Sequence, residues 1–206
     1  MQNIFDSHAH YDDPRFDEDR DALLGSMAEH GVRAIMNVGN TTHANLAGIE
    51  LAKQYPFIYC SIGIHPDQSA EIAAQHSRDY LEVMARQLAH PKARALGEIG
   101  LDYYYDDNAP RDIQRQIFEE QLALAKDLDV PVIIHNRDAH QDTLDLLKKY
   151  GADPEPGVGA LVSAMTPKEG AAYCKEHYHL TASLEEILGE VSSGAADFYC
   201  HRVQAK

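Results

Sequence analysis

Cysteine is scarce and tryptophan is absent from this chain of 206 residues. The three cysteines, Cys60, Cys174 and Cys200, are scattered and odd in number. They predict neither a disulfide framework nor a Cys-x-x-Cys zinc motif, and they favour a reducing, cytoplasmic location. No run of about 18 apolar residues is present, so we expect no transmembrane helix and no membrane partner. The N-terminus lacks a basic segment ahead of an apolar one, which argues against a signal peptide.

Positive charge is also scarce. There are 18 lysines and arginines against 33 acidic residues, and the formal net charge is −15. Such a surface repels phosphate backbones and argues against a non-specific nucleic-acid binder, but it does not exclude an enzyme that holds a few phosphates through bound metal. Hydrophobic residues make up 44% of the chain, which is enough for one sizeable core. We therefore predict a single domain over residues 1–206.

Short apolar runs alternate with longer stretches of helical periodicity. The predicted strands are Asn3–Asp6, Ala34–Val38, Phe57–Ile64, Ala93–Ile99 and Val130–His135. The predicted helices are Arg20–His30, Asn45–Tyr55, Arg78–Leu88, Ile113–Leu128 and Thr143–Tyr150. Apolar strands without alternation indicate a parallel sheet buried on both faces, and a regular βαβα series implies a doubly wound sheet or a (β/α)8 barrel. No glycine-rich phosphate loop follows the first strand, which disfavours a nucleotide-binding sheet.

Polar side chains lie at or next to the carboxyl ends of the predicted strands. They are His8 and His10, Asn37 and Asn40, His65, Glu98 and Asp102, and His135, Asn136 and Arg137. In a barrel the carboxyl ends of the strands converge on one face, where active sites are built. The joint occurrence of these groups therefore favours the barrel over the doubly wound sheet.

The pair His8 and His10 is the most informative of these groups. Side chains two positions apart on a strand point the same way, so His-Ala-His at a strand end directs two imidazoles at one point. Two neutral imidazoles at one point suit a transition metal, although a chance pair in an N-terminal loop has the same spacing.

The other candidates each have two interpretations. Glu98 follows an apolar run, so its buried carboxylate needs a metal or a salt bridge to a neighbouring strand. His135 ends another apolar run, and it is either a metal ligand or a core histidine that is hydrogen-bonded to the backbone. His65 is a ligand, a substrate contact or a turn residue, and Arg137 is a phosphate contact or a solvated residue at a helix start. We interpret the aromatic run Tyr103–Tyr105 as loop packing rather than as a base-stacking platform.

Four stretches resemble the TatD family of metal-dependent deoxyribonucleases, in the amidohydrolase superfamily. They are Phe5–His10 (FDSHAH), Ile62–Pro66 (IGIHP), Gly97–Tyr103 (GEIGLDY) and Pro131–Arg137 (PVIIHNR). Their order and spacing agree with the family over residues 1–158. The resemblance implies a (β/α)8 barrel of the TIM type and hydrolysis of phosphodiester bonds, with DNA as the substrate.

The resemblance also implies a site for two divalent metal ions, with Mg, Zn and Mn as the candidates. His8 and His10 would hold one ion, His135 would help to hold the other, and Glu98 would bridge both as the catalytic carboxylate. The ions would polarise a phosphodiester and activate a water as the nucleophile. His65 and Arg137 would contact substrate phosphates.

After residue 158 the chain departs from the family pattern. The family has a further histidine after strand 6 and an aspartate after strand 8, whereas Gly159–Ser163 contains no histidine and no Thr-Asp-Ala/Ser-Pro sequence follows. We therefore expect residues 159–206 to be divergent and the barrel to be incomplete, with about six βα units. A frameshift near Gly157–Ala160, a corrupted gene sequence and a short natural variant are the three explanations. Activity should then be reduced, since ligands are lost.

Two other functions use the same sequence features. One is an amidohydrolase-type reaction on a small ester or amide, although Glu98 stands where the carboxylated lysine of such enzymes is usually found. The other is an inactive pseudoenzyme that binds one metal weakly.

Overall fold

The computed structural model describes residues 4–75, 79–151 and 198–202. In chain order the elements are β1 (Ile4–Ala9), α1 (Arg20–Ser26), β2 (Val32–Asn37), α2 (Thr42–Gln54), β3 (Ile58–Ile62), α3 (Ser69–Ala74), α4 (Asp79–Leu88), β4 (Ala93–Asp102), α5 (Arg111–Asp127), β5 (Pro131–Arg137), α6 (His140–Lys149) and β6 (Phe198–Arg202). Apart from β6, the divergent segment 159–206 of the sequence analysis lies outside the described residues, as do Asn3 and Arg78.

One sheet contains all of these strands in sequence order, from β1 to β6. The first five strands pair in parallel with their neighbours, and β6 pairs antiparallel with β5. Helices connect the successive parallel strands, so the described residues contain five βα units that form a half-barrel. This architecture confirms the predicted fold class of an incomplete (β/α)8 barrel.

The strands β3, β4 and β5 are largely buried on both faces, as their apolar sequences predict, whereas β1 at the edge of the sheet leaves Phe5 55% exposed. Leu96 and Ile134 contribute to a large cluster that also contains Phe118 of α5. Their neighbours Ala95 and Ile133 point to the other side and belong to a second, small cluster. Successive side chains of a strand alternate between faces, so water is largely excluded from both sides of these central strands.

The boundaries of several elements differ from the predictions. The helix predicted over Arg20–His30 ends at Ser26, and α3 was not predicted because it is only six residues long. Strand β4 extends to Asp102 rather than Ile99, since it keeps its pairing with β5 beyond Gly100. Glu98 therefore lies inside this strand rather than at its end.

None of the helices over the described residues combines the length and the apolar composition that a membrane crossing needs.

Candidate metal centre

The two histidines of the first strand lie against the carboxylate of the fourth. The Nε2 atoms of His8 and His10 are 3.2 Å apart, as expected for side chains two positions apart. Nε2 of His8 lies 3.6 Å from Oε2 of Glu98. One ligand atom from each of these three residues lies within 4.8 Å of the other two. They form the first candidate ligand group.

The ring of His10 is oriented by the backbone that directly follows β2. Its Nδ1 lies 2.9 Å from the carbonyl oxygen of Val38. A carbonyl only accepts, so Nδ1 donates and the lone pair of Nε2 faces His8. Burial, followed by the neighbouring His8, lowers the pKa of His10 below its ordinary value. The ring is therefore held neutral, which is the form that binds a metal.

A second group of three surrounds the other oxygen of the same carboxylate. Nδ1 of His135 lies 3.0 Å from Oε1 of Glu98. The ring of His65 meets that of His135 edge-on, with the centroids 4.2 Å apart. One ligand atom each of His65, Glu98 and His135 also lies within 4.8 Å of the others. Glu98 thus belongs to both groups and faces each with a different oxygen.

Glu98 and His135 each shift the pKa of the other. Burial acts to raise the pKa of Glu98, but hydrogen bonds from His135 and His8 outweigh it, and this pKa lies well below its ordinary value. Burial acts to lower the pKa of His135, but the contacts with Glu98 and Asp102 outweigh it, and this pKa is raised. The Glu98 side chain is therefore an ionised carboxylate in a buried position, which is the form a cation would meet.

Asp102 is the residue whose importance the sequence analysis missed. Its side chain is buried, and its Oδ2 lies 3.0 Å from Nε2 of His135. Its Oδ1 accepts a hydrogen bond of 3.0 Å from the backbone N–H of Tyr104. Both ring nitrogens of His135 therefore contact carboxylates, one from Glu98 and one from Asp102. Asp102 was recognised only as a polar residue at a strand end, and its position in the GLDY stretch was the available signal.

The backbone at Glu98 is held by the loop that follows β2 and by β3. The N–H of Glu98 donates to the carbonyl of Gly39 over 2.6 Å, and the hydroxyl of Ser61 donates to the carbonyl of Gly97 over 2.6 Å. The pairing of β4 with β5 is irregular between Leu96 and Ile99, and the Gly97–Glu98 peptide bond is cis. The carboxylate is thus presented from an irregular segment fixed by neighbouring loops and strands.

Two buried glutamines of α5 bind the backbone next to the site. Gln121 accepts from the N–H of Ile64 over 2.9 Å and donates to its carbonyl over 3.0 Å, directly before His65. Gln114 accepts from the N–H of Asp102 and donates to its carbonyl, each over 2.9 Å. Both glutamines are 1% exposed. They tie the segments that carry His65 and Asp102 to a single helix.

We expect Gln121→Leu to destabilise the protein by about 2–4 kcal/mol. Leucine has a similar volume, but it leaves the buried N–H and carbonyl of Ile64 unpaired, at about 1–3 kcal/mol each. Urea unfolding followed by circular dichroism measures the change. The matched control is Gln116→Leu, since Gln116 is exposed on the same helix and donates to the side chain of Glu120 one turn away. Equal effects of the two substitutions would contradict the proposed anchoring role.

Arg137 lies at the end of β5 and does not belong to either ligand group. Its guanidinium carbon lies 4.1 Å from the ring centroid of Tyr104 and 4.8 Å from that of Tyr105. An Arg137 nitrogen donates to the hydroxyl of Tyr105 over 3.1 Å. The structure therefore separates the two predicted substrate contacts, with His65 beside the carboxylate and Arg137 on the adjoining aromatic run.

The donor set of the two groups fits divalent cations. Imidazole nitrogens and carboxylate oxygens bind Zn and Mn, and a carboxylate with one oxygen toward each group has the geometry of a bridge. Three protein ligands leave open positions, as catalytic metal sites do. The roles of His8, His10, Glu98 and His135 as ligands stay a prediction.

The histidines and the Glu98 carboxylate lie toward the carboxyl ends of the strands of the half-barrel, which is the face on which (β/α)8 barrels build their active sites. The family model described as TatD related DNase matches residues 5–187. The chain belongs to this family, which confirms the resemblance seen in its motifs. The match continues past residue 158, where the recognisable motifs end.

Curated relatives cover the same part of the chain. It is 36% identical over 155 residues to the uncharacterized metal-dependent hydrolase YabD of Bacillus subtilis, covering 75% of this chain and 59% of the relative. It is 31% identical over 154 residues to the 3'-5' ssDNA/RNA exonuclease TatD of Salmonella typhimurium, covering 75% and 57%. It is 34% identical over 149 residues to the deoxyribonuclease Tat-D of Schizosaccharomyces pombe, covering 68% and 47%. The chain thus spans less than two thirds of the length of each.

Solved structures show the same relationship. The TatD homolog YjjV of Escherichia coli K12 superposes with a TM-score of 0.62 at 34% identity, covering 71% of this chain and 55% of that one. An uncharacterized amidohydrolase of Saccharomyces cerevisiae superposes with a TM-score of 0.65 at 20% identity, covering 99% and 59%. At this identity the second likeness concerns the fold alone.

Proposed function

We propose that this chain is a metal-dependent hydrolase of DNA phosphodiester bonds. One observation carries the proposal: Glu98 faces His8 with one carboxylate oxygen, at 3.6 Å, and His135 with the other, at 3.0 Å. A single buried carboxylate between two sets of imidazoles favours two divalent ions, of Mg, Zn or Mn, on either side of it. The names of the relatives, which include a deoxyribonuclease and an ssDNA/RNA exonuclease, support DNA as the substrate.

The proposed role of each residue follows from its position in the candidate metal centre. His8 and His10 would hold one ion, His135 would help to hold the other, and Glu98 would bridge them. Ions bound there would polarise the phosphodiester and lower the pKa of a bound water towards neutrality. Asp102 fixes the ring of His135, and the Val38 carbonyl fixes that of His10. His65 and Arg137 would contact substrate phosphates, with Arg137 as the fork-shaped donor.

The acidic composition makes bound cations important for attracting the phosphates of a substrate. With a formal net charge of −15, the chain as a whole repels a phosphate backbone. Cations between His8, His10 and Glu98 would reverse the local field. We further propose a cytoplasmic location, which the scattered cysteines support.

The experiment is a cleavage assay with protein stripped by a chelator. We expect a labelled single-stranded DNA oligonucleotide to be cut after addition of Mg²⁺, Mn²⁺ or Zn²⁺, and not without metal. His10→Ala should abolish cleavage, and the exposed His30→Ala should leave it unchanged. No cleavage with any of the three metals would contradict the proposal. Turnover of p-nitrophenyl acetate instead would indicate a small-ester hydrolase.

Metal binding is also expected to stabilise the fold. At a free Mn²⁺ or Zn²⁺ concentration about 100 times the dissociation constant, ligation adds about 2.7 kcal/mol, which corresponds to a rise of about 5–10 °C in Tm for a domain of this size. Differential scanning fluorimetry measures the shift. His8→Ala should remove most of it, whereas His30→Ala should retain it. A shift of unchanged size in His8→Ala would mean that the metal binds elsewhere.

A further inference from the structure

An exposed aromatic surface adjoins the candidate metal centre. Large hydrophobic side chains that are exposed among the described residues are Phe5, Leu46, Tyr104, Tyr105 and Leu128. Two of these are adjacent in the chain, with Tyr104 56% and Tyr105 49% exposed. Their rings meet edge-on with the centroids 4.9 Å apart. Much of both rings is therefore open to solvent. Of the run Tyr103–Tyr105, Tyr103 packs against the core, as the predicted loop packing requires, whereas Tyr104 and Tyr105 remain exposed.

A guanidinium completes this surface. Arg137 lies 4.1 Å from the ring centroid of Tyr104 and 4.8 Å from that of Tyr105, and it donates to the Tyr105 hydroxyl over 3.1 Å. Cation–π contact and the hydrogen bond orient the arginine against the two rings. The three side chains, Tyr104, Tyr105 and Arg137, form what we call the stacking surface.

The stacking surface is joined to the metal centre through one carboxylate. Oδ1 of Asp102 accepts from the Tyr104 backbone over 3.0 Å, and Oδ2 lies 3.0 Å from Nε2 of His135. The backbone of Tyr103 donates to the carbonyl of Arg137 over 2.9 Å, so the two segments that carry the surface are also tied to each other. A strand held on this surface would therefore pass beside His135.

We propose that Tyr104 and Tyr105, held in place by Arg137, stack on the bases of a single-stranded nucleic acid next to the scissile phosphate. This inference rests on the proposed function, since it names how that substrate is held. Aromatic rings stack on any base, and the bases of a single strand have free faces whereas those of a duplex are already stacked. Stacking also suits this chain because a net charge of −15 cannot supply general attraction for phosphates.

The test uses the absence of tryptophan from the chain. Tyr104→Trp retains a stacking ring and places a single indole on the surface. In Ca²⁺ buffer, we expect single-stranded DNA to quench the fluorescence of this indole, and the quenching should saturate as the DNA concentration rises. A strand of equal length made of abasic sites should quench it much less. The matched control is Tyr59→Trp, because Tyr59 lies near the start of β3 and also contacts basic side chains, those of Lys92 and Arg94. Equal quenching by the two strands, or in the two variants, would overturn the proposal.

Cleavage kinetics give the second readout. Wild-type protein should have a KM about 5- to 100-fold lower for the base-bearing strand than for the abasic strand. Tyr104→Leu should lose most of this preference, whereas Tyr59→Leu should retain it. An unchanged preference in Tyr104→Leu would overturn the stacking role. If wild-type protein cuts neither strand but Tyr104→Trp is quenched by bases, the stacking surface stands and the proposed hydrolysis fails. Absence of both quenching and cleavage would overturn both proposals.

Discussion

Replacing Glu98 with glutamine is expected to lower metal-dependent kcat/KM for single-stranded DNA about 1000-fold. The amide keeps the shape of the side chain but removes the charge that both histidine groups face, at 3.6 Å from His8 and 3.0 Å from His135. Loss of about 4 kcal/mol of transition-state stabilisation, the scale of a metal-ion contribution, corresponds to three powers of ten in rate. Steady-state cleavage at several metal concentrations measures the loss.

The matched control for this substitution is Glu82→Gln. Glu82 is exposed on α4 and pairs only loosely with Arg86, at 3.7 Å, so its neutralisation should change kcat/KM less than twofold. Restoration of full activity in Glu98→Gln by excess metal would show that Glu98 contributes affinity alone. An activity within tenfold of wild type at every metal concentration would contradict its role as the bridging carboxylate.

Substituting Gly100 by alanine is expected to destabilise the fold by about 3 kcal/mol or more. Gly100 has a φ of +149°, a conformation that L side chains rarely adopt, and a Cβ atom there would overlap the carbonyl oxygen of His135. Gly100 pairs with His135 in the sheet, so the strands can accommodate the methyl group only by separating. Overpacking against backbone and a disallowed φ are both large destabilising effects, and here they act together.

Urea unfolding measures the loss, and Gly25→Ala is the control. Gly25 lies in the short helix α1, where a Cβ atom would meet nothing within 4 Å. Alanine there should stabilise the protein by about 0.5–1 kcal/mol, because glycine is the poorer helix former. Opposite signs for the two glycines are the expected result. A Gly100→Ala variant as stable as wild type would mean that the β4–β5 pairing at the site is not as described.

The repetitive part of this fold could be predicted from the sequence. Five apolar runs without alternation, separated by helical periodicity, predict parallel strands buried on both faces. Five parallel strands are observed in sequence order, and β3, β4 and β5 are largely buried on both faces. The spacing of His8 and His10 also carries its own geometry, since strand side chains two apart point the same way. These features depend on local periodicity, which a single sequence displays directly.

The supports of the site could not be predicted in this way. Gln114 and Gln121 read as polar positions of a surface helix, yet they belong to the buried stripe of α5 and bind backbone far away in sequence. Hydrogen bonds of this kind leave no periodic signal. The exposure of Tyr104 and Tyr105 depends likewise on how the loop after β4 folds over Arg137, which local pattern does not determine.

The most direct test of the central claim is the number of ions bound per chain, measured by equilibrium dialysis against Mn²⁺ and elemental analysis. We predict two ions for the wild-type protein, one for His135→Ala, one for the double variant His8→Ala and His10→Ala, and fewer than one for Glu98→Gln. These values would place a separate cation on each side of the Glu98 carboxylate. A wild-type protein that binds no Mn²⁺, or a Glu98→Gln variant that still binds two ions, would contradict the account.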